Sequence, residues 1–588
     1  MYRGRVTGNG ASIAAMCGPF HRAFRWVSNG RMILTDLAAV TRAHGDRTVF
    51  ADLSWTIADR ARIGLIGPNG SGKSTLLRTI AGVELPEAGL VTRPRDLRIA
   101  YLAQEQAPTD VPLIATLLGA RPDLAGIERD LTAVGLRLAD PAVSGDMARL
   151  ATALDEQERL LHAFDRAGGA RLRNRAEGLL RDLGIPRDHW DLPQSALSGG
   201  QRKLVGLAAC LIGDPDLLLL DEPDNHLDLQ RKETLERLLG EFDGAVVIVS
   251  HDRYLLDDTV ERIAELEPAA GGARLRLWEG NYSAYVAQKE IALRRQQQDY
   301  ASQQKEIARL EAAVKRFELW ARLVVDERHI KQARNKQRQI DRMEKVERPV
   351  LERRRMALSF RPRMRGGAIA LRLEHASFGL DGRTIIKDAD LVIQNGERVG
   401  IIGPNGAGKT VLLSLMSGER APDRGTVWVG PSIERGLFAQ HHETLDQRRT
   451  PIETIRDVRP MTEGEAVAKL LKFLIPYAAA QQPIATLSGG EKSRMQLARL
   501  MYSNVNCLLL DEPTNNLDIA SAEVLEGALE EFTGTVIVVS HDRYFLDRVV
   551  DRVVALEEGV LRVFEGGYSA YSERRAAGRL PSYPSRGD

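Results

Sequence analysis

The stretch Gly67-Pro-Asn-Gly-Ser-Gly-Lys-Ser74 decides the fold, and it returns almost unchanged as Gly403-Pro-Asn-Gly-Ala-Gly-Lys-Thr410. Each copy follows a short apolar run and precedes an amphipathic segment, which predicts the order strand, loop and helix. Glycines at these positions let backbone N–H groups surround phosphate oxygens at the N-terminus of the helix. The repeat therefore predicts two phosphate-binding domains of the α/β class in one chain.

Further segments recur in the same order behind each glycine loop. The offset between the copies is 336 residues at Lys73 but 290 residues at Ser198 and at His251. The difference, 46 residues, is an insertion in the first copy, and its composition predicts a helical arm within about residues 106–191. The recurring pairs are Leu197-Ser-Gly-Gly-Gln201 with Leu487-Ser-Gly-Gly-Glu491, Leu220-Asp-Glu-Pro223 with Leu510-Asp-Glu-Pro513, Val249-Ser-His-Asp-Arg-Tyr254 with Val539-Ser-His-Asp-Arg-Tyr544, and Glu279-Gly-Asn-Tyr-Ser-Ala-Tyr285 with Glu565-Gly-Gly-Tyr-Ser-Ala-Tyr571.

Composition excludes several classes of protein. The net charge is +1, and the three cysteines are too far apart for a zinc-binding pair. No run approaches the roughly 18 apolar residues of a membrane span, and no signal peptide is evident, so a cytoplasmic protein is expected. The irregular segment before Met32 is either a disordered extension or lies upstream of a true start at Met32. The predicted parts are an extension at 1–31, a first nucleotide-binding domain at 32–285, a linker at 286–365, a second nucleotide-binding domain at 366–571 and a flexible tail at 572–588.

Both glycine loops supply the groups that bind ATP together with Mg²⁺. The lysine that ends each loop is expected to contact the β- and γ-phosphates, and the hydroxyl after it is expected to ligate Mg²⁺. The predicted ATP-binding residues of the loops are Gly67, Asn69, Gly70, Gly72, Lys73, Ser74 and Thr75 in the first copy and Gly403, Asn405, Gly406, Gly408, Lys409 and Thr410 in the second.

An Asp-Glu pair follows a leucine-rich run in each copy, which predicts a buried parallel strand that ends in two carboxylates. Asp221 and Asp511 are suited to holding Mg²⁺ through water. Glu222 and Glu512 would face the γ-phosphate, where a carboxylate accepts a proton from the attacking water. These two glutamates are therefore the predicted catalytic bases.

The Leu-Ser-Gly-Gly signature behind each loop resembles that of the ATP-binding cassette superfamily. In that superfamily two cassettes pack head to tail, so each signature closes on the nucleotide of the other cassette. The resemblance implies that Ser488 and Gly490 complete the site of Lys73, and that the first signature completes the site of Lys409. The implied ATP-binding residues of the signatures are Ser198, Gly199, Gly200, Gln201, Ser488, Gly489, Gly490 and Glu491.

The same resemblance assigns roles to residues outside these segments. It implies that His251 and His541 contact the γ-phosphate as catalytic histidines. It also implies that Gln104 and Gln440 touch Mg²⁺ or its water, and it gives Asp228 and Asp518 to the loop that follows the acidic pair. The predicted metal site residues are thus Ser74, Gln104, Asp221, Thr410, Gln440 and Asp511.

The sequence departs from the superfamily pattern in the first copy. Asp224 stands where threonine is frequent, whereas the second copy has Thr514. The resemblance places an aromatic residue that stacks on adenine at Phe378. Its counterpart near Arg42 to His44 lacks such a residue, which leaves adenine stacking in the first site open.

The linker is strongly basic, with 22 Lys and Arg against 11 Asp and Glu, a net charge of +11 over residues 286–365. Apolar residues from Ile307 to Val324 recur at alternating steps of three and four, which predicts a helix with a coiled-coil seam. The chain is expected to reverse direction within Val324 to His329. A second, antiparallel helix would follow, with Ile330, Ala333, Ile340 and Met343 on its packing face. A basic stripe would face outward and contact RNA phosphates. The predicted RNA-binding residues are Arg328, Lys331, Arg334, Asn335, Arg338, Arg342 and Lys345.

Tandem cassettes joined by a charged helical hairpin resemble the ABC-F family over roughly residues 32–571. The resemblance implies a bacterial ribosome as partner, with the linker near peptidyl-tRNA and the cassettes near the tRNA exit site. It also implies a monomer whose own cassettes pair, with ATP and Mg²⁺ as cofactors. The segment from Arg328 to Met343 is most similar to actinomycete members that protect ribosomes from macrolide or lincosamide antibiotics.

Other functions fit parts of the sequence. The cassettes alone would suit the energising subunit of a drug-efflux transporter with separate membrane proteins, although such a subunit needs no long basic hairpin. A DNA-repair or chromosome-associated ATPase would be expected to carry zinc modules or a longer coiled coil. Within the ABC-F family, a housekeeping translation factor is the alternative to antibiotic protection. At the predicted hairpin tip, Trp320 and His329 either stack on RNA bases or pack within the hairpin.

Overall fold

The structure is a computed structural model of the full chain. It describes residues 27–28, 31–45, 47–104, 109–225, 227–269, 271–324, 327–343, 367–380, 382–440, 442–515 and 517–577. Two α/β cassettes flank a helical hairpin, so the fold class predicted from the repeats is confirmed. Among the described helices, none has both the length and the apolar character that a bilayer crossing requires.

The first cassette contains two sheets and nine α-helices among its described residues. Its strands are β1 (Val27–Ser28), β2 (Arg31–His44), β3 (Arg47–Ala58), β4 (Arg62–Ile66), β5 (Ala88–Thr92), β6 (Ile99–Leu102), β7 (Leu217–Asp221), β8 (Ala245–Val249), β9 (Arg262–Glu267) and β10 (Arg274–Glu279). Its helices are α1 (Lys73–Ala81), α2 (Leu113–Gly119), α3 (Pro122–Leu138), α4 (Pro141–Ser144), α5 (Met147–Arg166), α6 (Gly169–Asp182), α7 (Gly199–Ile212), α8 (Leu229–Glu241) and α9 (Arg253–Thr259).

The hairpin consists of α10 (Tyr282–Val324) and α11 (Glu327–Arg342), which pack against each other. The second cassette follows at Ile369. Its strands are β11 (Ile369–Leu380), β12 (Arg383–Gln394), β13 (Arg398–Ile402), β14 (Arg424–Val429), β15 (Arg435–Phe438), β16 (Cys507–Asp511), β17 (Thr535–Val539), β18 (Arg552–Glu557) and β19 (Val560–Glu565). Its helices are α12 (Lys409–Ser417), α13 (Pro451–Val458), α14 (Glu463–Lys472), α15 (Tyr477–Ala480), α16 (Gly489–Tyr502), α17 (Ile519–Glu530), α18 (Arg543–Val549) and α19 (Tyr568–Ala576).

The main sheets of the two cassettes share one topology. The strand order is β6-β7-β8-β4-β9-β10 in the first and β15-β16-β17-β13-β18-β19 in the second. All neighbouring pairs are parallel except the last, which is an antiparallel hairpin. Because the central strands are buried on both faces, they are continuous apolar runs such as Leu217–Asp221, whose residues are all buried. The glycine loop therefore emerges at the carboxyl edge of a central strand.

The insertion of the first cassette forms an arm in which α3 packs against α5. Asp146 caps α5 by accepting hydrogen bonds from the backbone of Ala148 and Arg149. The second cassette has shorter helices at the corresponding place, from Pro451–Val458 to Tyr477–Ala480. The 46 extra residues are thus accommodated outside the main sheet, which leaves the sheet topology unchanged.

Some predicted boundaries differ from the observed elements. Val27–Ser28 pairs with the start of β2, so the first sheet begins before Met32. The helix α10 begins at Tyr282, within the range predicted for the first cassette, because Asn281 and its neighbours start the helix directly after β10. The last helix continues to Ala576 instead of ending at Tyr571. The predictions for residues 1–26 and 578–588 lie outside the described residues.

Reciprocal ion pairs join the cassettes at the helices α9 and α18. Arg253 of the first cassette pairs with Glu526 of the second, and Arg543 of the second pairs with Glu236 of the first. The side chains of Arg253 and Glu526 are 2% and 0% exposed. Arg253 also stacks 3.9 Å from the ring centre of Tyr544. The two halves therefore share a tightly packed and approximately symmetric interface.

Candidate active site at the cassette interface

A cavity of about 1530 Å³ lies between the two cassettes and brings together most of the predicted site residues. The predicted residues that line it are Asn69, Gly70, Gly72, Lys73, Ser74, Thr75, Gln104, Glu222, His251, Asn405, Gly406, Gly408, Lys409, Thr410, Gln440, Ser488, Gly489, Gly490, Glu491, Asp511, Glu512 and His541. The predicted residues that do not line it are Gly67, Gly403, Asp221, Ser198, Gly199, Gly200, Gln201 and Phe378.

The glycine loops have the backbone conformation that phosphate binding requires. Gly72 has a φ of 98°, and a Cβ on this residue would lie 2.3 Å from a methyl carbon of Val49. The Lys73 ammonium donates to the carbonyl oxygens of Gly67 at 2.8 Å and Pro68 at 3.2 Å. Burial is the main cause that lowers the pKa of Lys73 from its ordinary value. The loop is therefore preformed, with the ammonium group held over it.

The first cassette has the oxygen ligands that Mg²⁺ prefers. The Ser74 hydroxyl is close enough to Asp221 to lower the pKa of that carboxyl, although burial raises it more, and the Tyr101 hydroxyl lies 3.4 Å from Asp221 Oδ2. Asp221 Oδ1 is buried and has no hydrogen-bond partner among the described residues. A buried carboxylate oxygen without a donor suits a hydrated cation beside the hydroxyl. These residues fit Mg²⁺, and Thr410 and Asp511 occupy the equivalent positions in the second cassette.

Glu222 lies at the centre of a polar network. Its Oε2 accepts a hydrogen bond from Gln104 Nε2 at 2.7 Å, and its Oε1 lies 3.6 Å from His251 Nε2. Burial alone would raise the pKa of Glu222, but the His251 imidazole and the ammonium groups of Lys73 and Lys203 bring it below its ordinary value. Glu222 is therefore an ionised carboxylate at neutral pH, as a general base must be.

Glu512 occupies the same place in the second cassette but in a different electrostatic environment. Burial and the neighbouring Asp511 raise the pKa of Glu512 to about 8. The backbone N–H of His541 donates to Glu512 Oε2 at 3.3 Å, and His541 Nε2 lies 3.1 Å from Asn405 Oδ1. Burial is also the main cause that holds the pKa of His541 well below its ordinary value. The two acidic pairs thus have the same sequence, but the pKa of Glu222 is lowered whereas that of Glu512 is raised.

Both predicted catalytic glutamates have a left-handed backbone conformation, with φ of 50° at Glu222 and 48° at Glu512. This conformation costs about 1–3 kcal/mol for a residue with a side chain. In both cassettes the surrounding sheet holds it, since the glutamate N–H donates to the last carbonyl of the neighbouring strand, Val249 or Val539, at 2.9 Å. The carboxylate is therefore directed by a strained turn that no sequence pattern identifies.

Contacts across the interface show a head-to-tail arrangement. Asp518 Oδ2 of the second cassette accepts a hydrogen bond from the Asn69 backbone N–H at 3.3 Å. Asp228 Oδ2 of the first cassette accepts one from the Asn405 N–H at 3.1 Å. The signature that begins at Ser488 lines the cavity together with the first glycine loop. The signature that begins at Ser198 does not line it, so the structure brings the two predicted signatures to their partner loops unequally.

The structure changes the expectation for adenine stacking. Phe378 is 9% exposed, packs in the core of the second cassette and has the Arg420 guanidinium 5.7 Å from its ring centre. This placement does not support a stacking role, because the ring face is already covered. In the first cassette the exposed imidazole of His44 lines the cavity, with Nε2 3.4 Å from the Thr75 hydroxyl. The superfamily pattern predicts Phe, Tyr or Trp at this place, so it does not identify His44.

The hairpin presents the predicted basic stripe on its outer side. Ala333 and Ile340 of α11 are 6% and 7% exposed and face α10, where Leu310 and Val314 are also buried. Ile330, predicted on the packing face, is 44% exposed because it lies at the end of the hairpin, where little of α10 remains to cover it. The stripe residues with exposed side chains are Lys331, Arg334, Asn335, Arg338 and Arg342. The side chain of Arg328 and all of Lys345 lie outside the described residues.

Two like sheets, each with a glycine loop, an acidic pair and a histidine at one shared interface, define an ATPase of the ATP-binding cassette class. A family model described as "ABC transporter" matches residues 50–225 and 386–515, and a second model with that description matches residues 270–360.

Curated relatives are similar over nearly the whole chain. They include an energy-dependent translational throttle protein of Escherichia coli K12, 35% identical over 92% of this chain and 95% of its own length. ABC transporter F family member 5 of Arabidopsis thaliana is 34% identical over 92% of this chain and 78% of its length. The chain belongs to the ABC-F family of tandem ATP-binding cassette ATPases.

Solved structures show the same fold at lower sequence identity. An archaeal ribosome recycling factor, solved with a ribosomal stalk protein, is 19% identical, with a TM-score of 0.59 over 93% of this chain and 94% of that chain. A structure named RNase-L Inhibitor is 18% identical, with a TM-score of 0.57 over 92% of this chain and 93% of that chain.

Proposed function

We propose that the protein is a cytoplasmic translation factor that binds the bacterial ribosome through its basic hairpin, between the tRNA exit site and peptidyl-tRNA. The single observation that carries the proposal is the exposed row of Lys331, Arg334, Arg338 and Arg342 on a hairpin whose opposite face is buried. Exposed guanidinium groups at helical spacing suit the phosphates of RNA. The names of relatives that act in translation support this partner.

The proposal includes two composite ATP sites within one monomer. In the first site Lys73 would bind the phosphates, Ser74 and Asp221 would hold Mg²⁺, and the signature at Ser488 would close over the γ-phosphate. The second site would use Lys409 and the equivalent groups, with the signature from Ser198 to Gln201. The cross-interface bonds of Asp228 and Asp518 to the opposite loops support this pairing.

Hydrolysis would use the equivalent groups in each site, and in the second site Glu512, whose pKa is raised to about 8, would first have to lose its proton. The glutamate, Glu222 or Glu512, would orient a water molecule and accept its proton, and the histidine would donate a hydrogen bond to the γ-phosphate. Mg²⁺ supplies neutralisation of the phosphate charge when bound. ATP would bridge the cassettes only when they are closed, so ATP binding favours the closed state that presents the hairpin, and hydrolysis releases it.

The test is ribosome co-sedimentation of a variant that binds ATP but cannot hydrolyse it. Glu222→Gln with Glu512→Gln should pellet with ribosomes in ATP and remain in the supernatant without nucleotide. A matched control adds Lys73→Ala and Lys409→Ala, which removes the phosphate contacts and should abolish pelleting. Absence of the trapped variant from the ribosome pellet would contradict the proposal.

The role of the stripe is tested by the salt dependence of ribosome binding. Replacing Arg334 and Arg338 with serine should lower the slope of log affinity against log salt by about one unit for each phosphate that is no longer neutralised. The control replaces Arg237 and Arg262, two surface arginines of the first cassette that are each 49% exposed. An equal fall in affinity in both variants would show that general charge, and not the stripe, determines binding.

Protection of ribosomes from macrolide- or lincosamide-type antibiotics is the finer form of this proposal. It rests on the similarity of the segment from Arg328 to Met343 to resistance members of the family. A susceptibility panel in a host with and without the gene tests it directly. Raised resistance to such a drug would support protection, whereas an unchanged panel with altered translation would assign a housekeeping role.

A further inference from the structure

The cassettes differ at a pair of buried positions near the interface. Asp224 and Lys232 of the first cassette are 5% and 8% exposed. With the offset of 290 residues that relates the later motifs of the cassettes, their counterparts are Thr514 and Ala522. A carboxylate and an ammonium group therefore replace a hydroxyl and a methyl group on one side only. Burying charge is costly unless it is paired, so these two charges need partners within the fold.

The ammonium group of Lys232 crosses the interface. Lys232 Nζ donates to Asp252 Oδ2 at 2.8 Å within its own cassette. It also donates to the backbone carbonyl oxygen of His541 in the other cassette at 2.9 Å. Burial opposes the charge on Lys232, but Asp252 and Asp224 outweigh it and raise its pKa. Lys232 is therefore charged, and its ammonium group bridges Asp252 and the His541 carbonyl.

The contact holds a loop of the second ATP site. The N–H of His541 donates to Glu512, its ring contacts Asn405, and its carbonyl accepts from Lys232. The backbone of this residue is thus fixed on both sides. Ala522, the counterpart of Lys232 in the second cassette, ends in a methyl group and has no side-chain group that donates to a carbonyl. The His251 ring nitrogens have no hydrogen-bond partner among the described residues, and its side chain is 19% exposed against 11% for His541.

We infer that Lys232 is a positioning residue for the second ATP site, supplied in trans by the first cassette. It aligns His541 only when the cassettes are closed, because its donor and acceptor lie on opposite halves. Asp224 and Asp252 compensate its charge. The second site is therefore coupled to closure by a contact that the first site lacks. The inference rests on the assignment of the second site under the proposed function.

Site-selective turnover tests the inference. With Glu222→Gln only the second site hydrolyses ATP, and with Glu512→Gln only the first does. In the Glu222→Gln background, where only the second site is active, Lys232→Met should lower kcat about 10-fold or more. KM for ATP should stay within about twofold, because misaligned groups lower the rate and not the binding. In the Glu512→Gln background the loss of kcat should be clearly smaller, because the bond from Lys232 to the His541 carbonyl does not belong to that site. Lys232→Arg keeps the charge and the donors and should recover much of the rate.

A second variant guards against misfolding, since Lys232→Met removes the ammonium group beside the buried Asp224 and leaves Asp252 with the Arg543 guanidinium at 3.9 Å as its counter-charge. Asp224→Thr with Lys232→Ala reproduces the pair of the second cassette and should fold normally. It should still lose second-site turnover. Equal losses in both backgrounds, a loss carried by KM, or native turnover of this double variant would overturn the inference.

Amide hydrogen exchange separates this inference from the proposed function. In ATP, the Lys232 variants should exchange faster over residues 540–545 than the parent, with no change over the first glycine loop, residues 67–72. Unchanged exchange at 540–545 would overturn the positioning role. Neither readout uses ribosomes, so a failure of ribosome binding leaves both results intact and would contradict only the proposed function.

Discussion

At the scale of single residues, the glycine loops show how a backbone requirement fixes a residue type. Gly72 and Gly408 have φ of 98° and 100°, and a Cβ on either would lie 2.3 Å from the side chain of Val49 or Ile385. The conformation disfavours any side chain and the neighbours leave no room for one. The same glycine thus serves both the chain reversal and the close approach of a phosphate.

Gly72→Ala should lower the melting temperature of the protein and weaken ATP binding, because the left-handed backbone costs about 1–2 kcal/mol before the clash with Val49 is added. Calorimetry and nucleotide titration measure the two effects. Gly126→Ala is the control, since Gly126 lies within α3 with nothing within 4 Å of its Cβ position and has an ordinary helical φ. The control should stabilise the helix by up to about 1 kcal/mol, and a destabilised control would contradict this reasoning.

Sequence motifs predict which residues meet at the site better than they predict its electrostatics. The loops, acidic pairs and histidines converge because they follow parallel strands whose carboxyl ends share one edge. Three other features depend on packing between distant segments. They are the left-handed φ of Glu222 and Glu512, the placement of His44 in the cavity, and the contact of Lys232 with His541. Such packing has no local signal, so motif spacing does not identify it.

At the scale of elements, the hairpin gains its stability from a narrow apolar seam. The alternating step of three and four residues predicts the buried positions Leu310 and Val314. The same pattern is wrong at Ile330, because periodicity assigns a face but does not report where the partner helix ends. The repeat offset likewise reveals the insertion that forms the arm, but it does not give the boundaries of the helices in the arm.

Leu310→Ala should destabilise the hairpin by about 2–5 kcal/mol, because it removes a side chain that is 4% exposed. Hydrogen exchange over α10 and α11 reports this as faster exchange of their amides. Leu319→Ala on the same helix is the matched control, since Leu319 is 56% exposed. Its effect should stay within about 0.5 kcal/mol, and equal effects would show that the seam is not where the structure places it.

At the scale of the whole molecule, the reciprocal pairs Arg253 with Glu526 and Arg543 with Glu236 join the cassettes beside the cavity, where Arg543 lies 3.9 Å from the cavity-lining Asp252. They differ in burial, since Glu526 is 0% and Glu236 is 16% exposed at the side chain. Removal of one partner of a buried pair leaves the other charge in a medium that solvates it poorly. The more deeply buried pair should therefore contribute more to the closed arrangement.

Glu526→Gln should lower stability by about 3 kcal/mol, because it removes the carboxylate that pairs with the buried Arg253 guanidinium and leaves the nearby Asp542 as the carboxylate that still favours its charge. Glu236→Gln, the symmetric control, should cost less, since water reaches that pair. Guanidinium denaturation midpoints give the ranking, and small-angle scattering reports whether the cassettes separate. A larger effect from Glu236→Gln would contradict the burial-based order.

The covalent joining of the two halves has a consequence for how such a protein can diverge after gene duplication. In a homodimer every substitution appears at both nucleotide sites, so a buried lysine in one half would have to be tolerated in the other. In this chain Lys232 donates to the His541 carbonyl, while the equivalent position of the second cassette is Ala522. One polypeptide can therefore specialise a single site by substitutions in one half only, as the pair of Asp224 and Lys232 illustrates.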